Sequence, residues 1–441
     1  MNKEKWIAYA LEKGFESFEI YQDISEERTI SWFGGQMDTF VTSHVRGTSL
    51  RGLIGGKMAI MATENDSDSL MEDLIGKMIQ QASAITSEDK GIIRKPEKTD
   101  EISANRVFIR PESEDIKEAL ADIEKRIMDF DKRVLQVSFM EWNETTERRE
   151  ITNSYGMDVK DGEKIQVMVA GVVVGDGSEV KDSYEFDLVE DLSKFDRDAF
   201  VKELCEKALN KLGATSLESG TYKVIMEKGA MSSLFSAFSQ MFSGELIGKG
   251  LSPLNDKIGT KIFSDKITVI DDPRNTEAVE LANYDDEGCP TYRKTVVDAG
   301  VFKTMLHNSK SALRLGTEST GNGFKSGYAS DVNVMPKNMY IVKGEKSLTE
   351  LEEEMGDGLV IESLAGLHAG LDFITTDFSL QCAGYFVKDG KRDRSITLIT
   401  VASNFLEMMK DVIDVGSDLE WKLSSIRTPS ILFNGLAISG E

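Results

Sequence analysis

Residues 221–272 read TYKVIMEKGAMSSLFSAFSQMFSGELIGKGLSPLNDKIGTKIFSDKITVIDD. Residues 224–226 form a short apolar run of strand type, and apolar side chains then recur after Gly229 at the spacing of an amphipathic helix. The opposite face of this predicted helix carries serines and a glutamine, which neither titrate near neutral pH nor bind transition metals well. The apolar positions of the helix are Met231, Leu234, Phe235, Phe238, Met241 and Phe242.

Glycines at positions 244, 248 and 250 follow the helix and predict where it ends. A second apolar strand at 267–270 then ends in Asp271 and Asp272. The stretch therefore has the layout of a catalytic helix between two strands, but no catalytic residue lies on it.

Several motifs occur in order in and beyond this stretch, namely KGLS at 249–252, IG at 258–259, TVIDD at 268–272, DDEG at 285–288 and STGN at 319–322. Together they resemble the TldD/PmbA family. In the TldD-type members, here called the zinc branch, the helix bears an HExxxH motif whose histidines bind zinc and whose glutamate acts as base. Counting back without gaps from residues 249–250 places those positions at Phe235, Ser236 and Gln240. The chain thus resembles the PmbA (TldE) branch, which lacks the motif, and the resemblance implies no catalytic or metal-binding residue here.

Further departures from the zinc branch lie in other segments. A cysteine of the C-terminal glycine-rich stretch supplies another metal ligand in that branch, and residues 416–430 of this chain contain none. An arginine commonly follows the TGN motif in the family, whereas Phe324 and Lys325 stand there in this chain. Thr376 replaces the usual glycine of a TGDFS motif. The metal ligands of the zinc branch are thus missing at separate segments. A subunit that binds no metal explains this better than a change in one motif.

The resemblance also implies an activity and a partner. A zinc-bearing, TldD-like subunit would cleave unfolded or leader-type peptides inside a closed dimer that this chain completes, so zinc would belong to the partner and this chain would hold no cofactor. The family's association with DNA gyrase modulation would then be an indirect result of proteolysis. We expect the isolated chain to form a homodimer through the same surface, since a subunit that encloses a chamber otherwise exposes apolar patches.

The composition is that of a globular protein, with 441 residues of which 40% are hydrophobic. A formal net charge of −24 disfavours direct binding of nucleic acid, because that affinity comes largely from lysines and arginines. Cys205, Cys289 and Cys382 have no metal-binding or disulfide spacing, and no stretch approaches the roughly 20 apolar residues that span a bilayer. We expect a cytoplasmic protein that does not enter a membrane, with Cys205 as a small buried side chain.

The sequence predicts three units, which are residues 1–100, 101–216 and 217–441. The polar residues 87–101 hold charges of both signs and little apolar periodicity, which is typical of a linker. The first two units mix helices and strands, whereas the third is mainly β. The predicted fold class is therefore α+β, with a mixed α/β N-terminal region followed by a β-rich C-terminal domain.

Apolar spacing predicts the elements of the first two units. Glycine pairs at 34–35 and 55–56 mark hairpin turns, and Asp196 predicts a helix N-cap. The predicted helices begin near Trp6, Leu70, Ile116 and Asp196, and the predicted strands include 18–22, 28–33, 135–142, 147–154, 164–175 and 180–189.

Helices are fewer in the predicted third unit, at 310–315 and 404–413 besides the opening one. Its glycine-rich residues 319–327 are either a surface loop or a backbone cradle for a ligand. The candidate contacts to substrate or partner within them are Ser319, Thr320, Gly321 and Asn322.

Two other groups of residues carry candidate chemistry. The acidic residues 285–288 are either a turn whose carboxylates accept backbone N–H groups, or a site for a hard cation or a shared proton. Alternation along a strand would place Asp285 and Glu287 on one side. His307, His368 and Cys382 would form a histidine-based site only if the fold gathers them.

Three functions remain open on the sequence. The favoured one is a PmbA/TldE-like subunit of a TldD/TldE-type metalloprotease complex, without a zinc site of its own. The second is a hydrolase that works alone through an unrecognised C-terminal site, such as His307, His368 and Cys382. The third is a peptide-binding protein without an enzyme partner.

Overall fold

The computed structural model describes residues 1–86 and 91–441. Its fold class is α+β with a β-rich C-terminal region, as the sequence predicts. The helices are α1 Lys3–Glu12, α2 Met71–Ala84, α3 Ser113–Phe130, α4 Arg197–Leu209, α5 Lys228–Phe238, α6 Gly244–Gly248, α7 Ser309–Leu315, α8 Leu348–Met355 and α9 Phe405–Met408, with 3-10 turns at Asp68–Leu70, Leu192–Lys194 and Ser239–Phe242. The strands are β1 Ser17–Phe33, β2 Gln36–Ile54, β3 Lys57–Thr63, β4 Val134–Asn153, β5 Asp158–Gly175, β6 Val180–Leu188, β7 Gly220–Met226, β8 Val269–Asp271, β9 Lys294–Asp298, β10 Val301–Phe302, β11 Gly323–Phe324, β12 Asn333–Val334, β13 Met339–Ile341, β14 Gly358–Ala365, β15 Asp377–Lys388, β16 Lys391–Asn404, β17 Val412–Val415, β18 Ile426–Arg427 and β19 Ile431–Ser439.

The N-terminal half is built on one antiparallel sheet in the order β3-β2-β1-β4-β5-β6. The strands predicted at 18–22 and 28–33 are one continuous strand, β1, and those at 135–142 and 147–154 are likewise joined in β4. β1 is hydrogen-bonded on both sides along most of its length, so the ladder holds its polar middle residues in extended form.

The two faces of this sheet have different partners, because successive side chains of a strand point to opposite sides. On one face of β1, Phe18 and Ile20 pack with α1 and α2, and Ile30 packs with α3 and α4. On the other face, the Tyr21 hydroxyl lies 3.4 Å from a carboxylate oxygen of Asp286 in the C-terminal half. The sheet therefore lies between the helices α1–α4 and the C-terminal half.

The C-terminal half contains a sheet whose strands close into a barrel. β7 pairs in parallel with β14 and antiparallel with β19, β15 joins β14 to β16, and β16 closes back onto β19. A smaller sheet in the order β10-β9-β8-β13-β18 lies beside it. The apolar face of α5 shares one core with side chains of both sheets.

Two predicted helices of this half are shorter in the structure. α5 ends at Phe238, residues 239–242 form a 3-10 turn, and Gly244 begins α6 instead of ending a helix. The helix predicted at 404–413 is wrong beyond Met408, because the β-branched residues that follow form β17 and pair with β19. The sequence interpretation also missed α8, although Ser347 and Glu350 form a capping box at its start.

The predicted linker 87–101 lies between α2 and α3. Its residues 87–90 lie outside the described ranges, and residues 91–101 contain no helix or strand. Just beyond them, the Ile102 N–H donates to the Asn283 side chain of the C-terminal half at 3.0 Å. No helix in the described ranges is long and apolar enough to cross a membrane.

Candidate functional site

The three positions predicted to correspond to the zinc motif differ in the exposure of their side chains. Phe235 is 1% exposed, Ser236 is exposed, and Gln240 is half-buried in the 3-10 turn after α5. None of them offers an imidazole, a carboxylate or a thiolate. Within residues 1–86 and 91–441, no group of three or more His, Cys, Asp or Glu side chains is arranged to hold a metal. The side chains present therefore do not fit the zinc ion of the zinc branch.

An aromatic cluster surrounds Phe235. The centroid of its ring lies 6.3 Å from that of Phe242 and 6.2 Å from that of Phe405. Phe238 stacks on Phe405 at 4.6 Å, and Phe263 meets Phe405 edge-on at 6.1 Å. Aromatic pairs of this kind contribute about 0.5–1.5 kcal/mol each beyond the burial of their area. This side of α5 is therefore hydrophobic core.

The serines of α5 bond within the protein. Ser232 Oγ lies 3.2 Å from Thr428 Oγ1 and accepts the Thr428 N–H at 3.0 Å. Ser233 and Ser239 donate to carbonyl oxygens of the preceding helical turn, at 2.9 and 2.8 Å. The hydroxyl-bearing face thus fixes the helix to β18 and to its own backbone.

Residues 416–430, the segment in which the resemblance implies a cysteine ligand in the zinc branch, lie against the start of α5. Asp418 accepts the Ser430 N–H at 2.9 Å and the Ser430 hydroxyl at 2.7 Å. The same hydroxyl oxygen accepts the Lys228 N–H at 3.0 Å. These bonds connect the segment to the first turn of α5.

Glu227 is the N-cap of α5 and was passed over in the sequence interpretation. Its Oε2 accepts the Gly229 N–H at 2.8 Å. The pKa of this carboxyl is raised to about 7, mainly by burial and to a smaller extent by the nearby Asp418. The sequence does show a glutamate directly before Lys-Gly at a predicted helix start, which could have indicated an N-cap. The burial of this glutamate, however, depends on the tertiary fold. Glu227 therefore exchanges a proton near neutral pH beside the helix.

The candidate substrate or partner contacts bond inside the C-terminal half. Thr320 Oγ1 accepts the His307 N–H at 2.7 Å, and Ser319 Oγ donates to the His307 carbonyl at 3.1 Å. The Asn322 side chain is fully buried and donates to the Asp271 carboxylate at 2.8 Å. These bonds shape the segment, and contact with a peptide or partner stays a prediction.

The glycine-rich segment is not a surface loop in its first part, since residues 320–324 are buried. Gly321 has a φ of 68°, and a Cβ there would approach the Pro290 carbonyl oxygen to 2.7 Å. The N–H of Gly323 donates to Asp285 at 2.9 Å instead of pointing into an open cradle. Close packing thus explains the small residues here.

The acidic turn 285–288 accepts backbone N–H groups, as one sequence interpretation predicts. Asp285 accepts those of Glu287 and Cys289 at 3.0 and 2.9 Å, besides that of Gly323. Glu287 Oε2 accepts the Ser309 N–H at 2.7 Å. Asp285 and Glu287 share a side, because a Cβ on Gly323 would meet both carboxylates. Burial and the adjacent Glu287 raise the pKa of Asp285.

This turn also joins the two halves of the chain. An oxygen of Asp286 lies 3.6 Å from the Arg149 guanidinium of β4, besides its contact with Tyr21. Glu287 lies 3.7 Å from the Arg51 guanidinium of β2. The carboxylates of residues 285–287 therefore already bond to backbone N–H groups or pair with side chains of the N-terminal sheet.

Lys325 stands near the place where the family commonly has arginine. Its Nζ donates to Ser49 Oγ at 3.1 Å and lies 4.9 Å from the centre of the Tyr21 ring. Burial and the neighbouring Arg51 lower the pKa of Lys325 to about 8. The amine contacts the N-terminal sheet and thus helps to hold the halves together.

A buried ion pair lies below the glycine-rich segment. Lys294 Nζ is 3.0 Å from Asp271 Oδ2, and both side chains have almost no exposed area. Asp271 Oδ1 accepts the Lys337 N–H at 2.7 Å. Asp271 at the end of β8 therefore fixes three segments at once, counting its bond from Asn322.

The structure does not gather His307, His368 and Cys382 into a metal-holding group within the described ranges. His307 is buried with its Nδ1 3.2 Å from Ser311 Oγ, and burial lowers its pKa. His368 is exposed, whereas Cys382 is buried in β15 and burial raises the pKa of its thiol to about 12. A thiol with that pKa is a weak nucleophile at neutral pH. Cys205 is fully buried on α4, as predicted.

Comparison with protein families matches nearly the whole chain. Models described as PmbA/TldA metallopeptidase domain 1, central domain and C-terminal domain match residues 18–86, 108–212 and 219–440. The chain belongs to the PmbA/TldD family. The resemblance in the ordered motifs is therefore confirmed.

Members of the PmbA/TldD family are similar to this chain in sequence and in fold. A protein of Haemophilus influenzae named "Metalloprotease PmbA homolog" is 27% identical over 290 residues, which are 66% of this chain and 62% of that relative. The match therefore spans less than two thirds of the relative's length.

Two solved structures extend over the entire fold. A protein of Thermotoga maritima MSB8, described as a modulator of a DNA gyrase, is 26% identical with a TM-score of 0.89 and covers 99% of both chains. TldE from Thermococcus kodakarensis is 24% identical with a TM-score of 0.90, over 99% of this chain and 100% of that chain. At that identity the second likeness shows the fold alone.

Proposed function

We propose that this chain is the non-catalytic, PmbA/TldE-type subunit of a TldD/TldE-type metalloprotease complex that acts on unfolded or leader-type peptides. The observation that carries the proposal is the packing of Phe235 into the aromatic cluster, which puts a hydrocarbon core where a first zinc ligand would be needed. Asp418 and Ser430 occupy the second segment from which a ligand would come, and they bond to each other.

Zinc then belongs to a TldD-like partner, and this chain completes the chamber in which peptides are cleaved. Alone, the chain pairs with a second copy of itself. It does not bind nucleic acid directly, since its net charge of −24 repels phosphates, and any effect like the gyrase modulation named for the Thermotoga protein is indirect. Its cysteines are free, which suits the reducing cytoplasm.

A reconstitution assay tests the proposed division of labour. The chain and a zinc-bearing family member from the same organism are purified separately, and cleavage of an unstructured, casein-like substrate is measured for each and for the mixture. We expect cleavage by the mixture, its loss after chelation, and none by this chain alone.

A mixture in which the motif glutamate of the zinc-bearing subunit is replaced by glutamine is the matched control, and it should be inactive. Chelator-sensitive cleavage by this chain alone would overturn the proposal. Equal cleavage by the zinc-bearing subunit with and without this chain would also contradict it, because the chain would then have no part in the reaction.

A further inference from the structure

β2 has a long edge without a neighbouring strand. Its first part, residues 36–46, pairs with β1 on one side, whereas β3 pairs with β2 only from Thr48 to Ile54. In the described ranges no strand pairs with the other side of residues 36–47. All of residues 36–46 are exposed except the half-buried Ser43. The backbone N–H and C=O groups of such an edge can pair with a further strand.

On the outer strands of the same sheet, in contrast, side chains bond to backbone groups of the edge. On β3, the Ile60 N–H donates to the Gln81 side chain at 2.9 Å. On β6, the Asp182 carbonyl accepts from Lys211 Nζ at 2.7 Å. Side chains that occupy edge groups in this way block pairing with another chain. The first part of β2 has no such protection from side chains beyond β1 among the described residues.

The free edge exposes several apolar side chains among polar ones, and the charges on its own residues balance. Phe40, Val41 and Val45 are 49%, 54% and 42% exposed. Asp38 and Arg46 contribute one charge of each sign, although the whole chain carries −24. Two copies of this acidic chain can therefore approach along this edge without the repulsion that most of their surface would cause.

We propose that two copies of the chain pair antiparallel along residues 36–46 of β2, with Val41 on the twofold axis, and form one continuous sheet. This inference rests on the self-association included in the proposed function. The length of the edge sets the register. With Val41 on the axis, the hairpin turn at Gly34–Gly35 of one copy reaches Gly47 of the other, where β3 begins to pair. An axis closer to Gly47 would push the turn into the place of β3.

This register also brings exposed apolar side chains together at the centre of the contact. Val41 of one copy lies beside Val41 of the second copy, and Phe40 lies opposite Thr42, so apolar area is buried at the centre. A twofold contact of this type is self-complementary by symmetry. The β1–β2 register shifts at Asp38, near the hairpin end of this edge.

A cysteine at the axis tests the register. Opposed residues of antiparallel strands have Cα atoms about 4.5–5.5 Å apart, which lies within the roughly 4.4–6.8 Å range of disulfides. The chain's own cysteines are buried and should not react. Val41→Cys should give a disulfide-linked dimer in more than half of the chains after mild oxidation. The matched control is Val45→Cys on the same exposed strand, whose two copies would be roughly 27 Å apart and should stay unlinked.

Light scattering of the unmodified chain and of Thr42→Pro completes the test, with circular dichroism to check that the variant folds. Thr42 is chosen because the even-numbered residues of this part of β2 direct their N–H groups away from β1. Proline removes an edge N–H, so the dimer dissociation constant should rise at least tenfold. A monomeric unmodified chain would overturn both this inference and the proposed self-association.

A dimer that neither cysteine links, or that Val45→Cys links equally well, would overturn the edge pairing and leave the self-association standing. A chain that stays monomeric and whose amide hydrogens at 36–47 become protected only when an unstructured peptide is added would show that a peptide occupies the edge, which also overturns the inference.

Discussion

Phe235 and Phe405 contact each other across the C-terminal core with ring centroids 6.2 Å apart. Phe235 is the residue predicted to correspond to the first histidine of the zinc motif. A ligand imidazole needs an open path to the ion and a second partner to fix its tautomer. Neither is available to a side chain that is 1% exposed among phenylalanines. Phe235 is therefore a core side chain in this protein.

Restoring the motif by Phe235→His, Ser236→Glu and Gln240→His should not create a protease. Replacing a buried phenylalanine should cost about 3–5 kcal/mol of unfolding free energy, and residues 416–430 would still contain no cysteine. We expect urea denaturation to show this loss and elemental analysis to find less than one zinc per chain. The double variant Ser236→Glu with Gln240→His is the control, and its stability should stay near the parent's because Phe235 remains.

Removing the cation of the buried ion pair should destabilise the C-terminal half strongly. Lys294→Met leaves the fully buried Asp271 carboxylate without its partner at 3.0 Å, and such losses cost about 3–5 kcal/mol. The same substitution at the exposed Lys257 is the control and should change the unfolding free energy by less than about 0.5 kcal/mol. Equal stability of the two variants in urea would contradict the role assigned to the pair.

Two glycines with nearly the same backbone angle should respond differently to alanine. Gly316 and Gly321 have φ values of 66° and 68°, but a Cβ on Gly316 meets nothing within 4 Å, whereas one on Gly321 meets the Pro290 carbonyl oxygen at 2.7 Å. Gly316→Ala should cost about 1 kcal/mol from its conformation alone. Gly321→Ala should cost clearly more, since backbone atoms must move. Thermal unfolding of the two variants compares the costs directly.

Glu227 should make stability depend on pH. Its pKa is raised to about 7 by burial, so between its ordinary pKa of roughly 4.3 and that value the native chain holds a proton which the unfolded chain has released. The favourable contribution of this group is complete below the ordinary pKa and is lost as pH rises through about 7. Glu227→Gln keeps an acceptor for the Gly229 N–H and cannot ionise.

The stability of Glu227→Gln relative to the parent chain should therefore increase from pH 5 to pH 8, by about 2 kcal/mol. Urea denaturation at several pH values measures this difference, and the comparison removes the titration of all other groups. A difference that is constant over this range would contradict the raised pKa.

Much of this fold could be predicted from the sequence because local patterns and tertiary packing agree. Met231, Leu234 and Phe238 have helical spacing and face the core, and Asp196 caps α4 as predicted. The acidic turn 285–288 was predicted because neighbouring carboxylates commonly accept backbone N–H groups.

Other features depend on contacts that are distant in sequence. The polar middle of β1 is extended because β2 and β4 bond it from both sides, and residues 412–415 form a strand because β19 lies beside them. The burial that raises the pKa of Glu227 likewise arises only when separate segments come together. The same holds for the free edge of β2. No local pattern contains that information.

The zinc content of the purified chain tests the central claim most directly. The chain is incubated with excess zinc, dialysed against zinc-free buffer and analysed for metal per chain, alongside a zinc-bearing family member treated in the same way. A chain whose α5 is built into an aromatic core should retain far less than one zinc, while the other protein retains about one. One tightly held zinc per chain, lost on chelation together with peptide cleavage, would contradict the account.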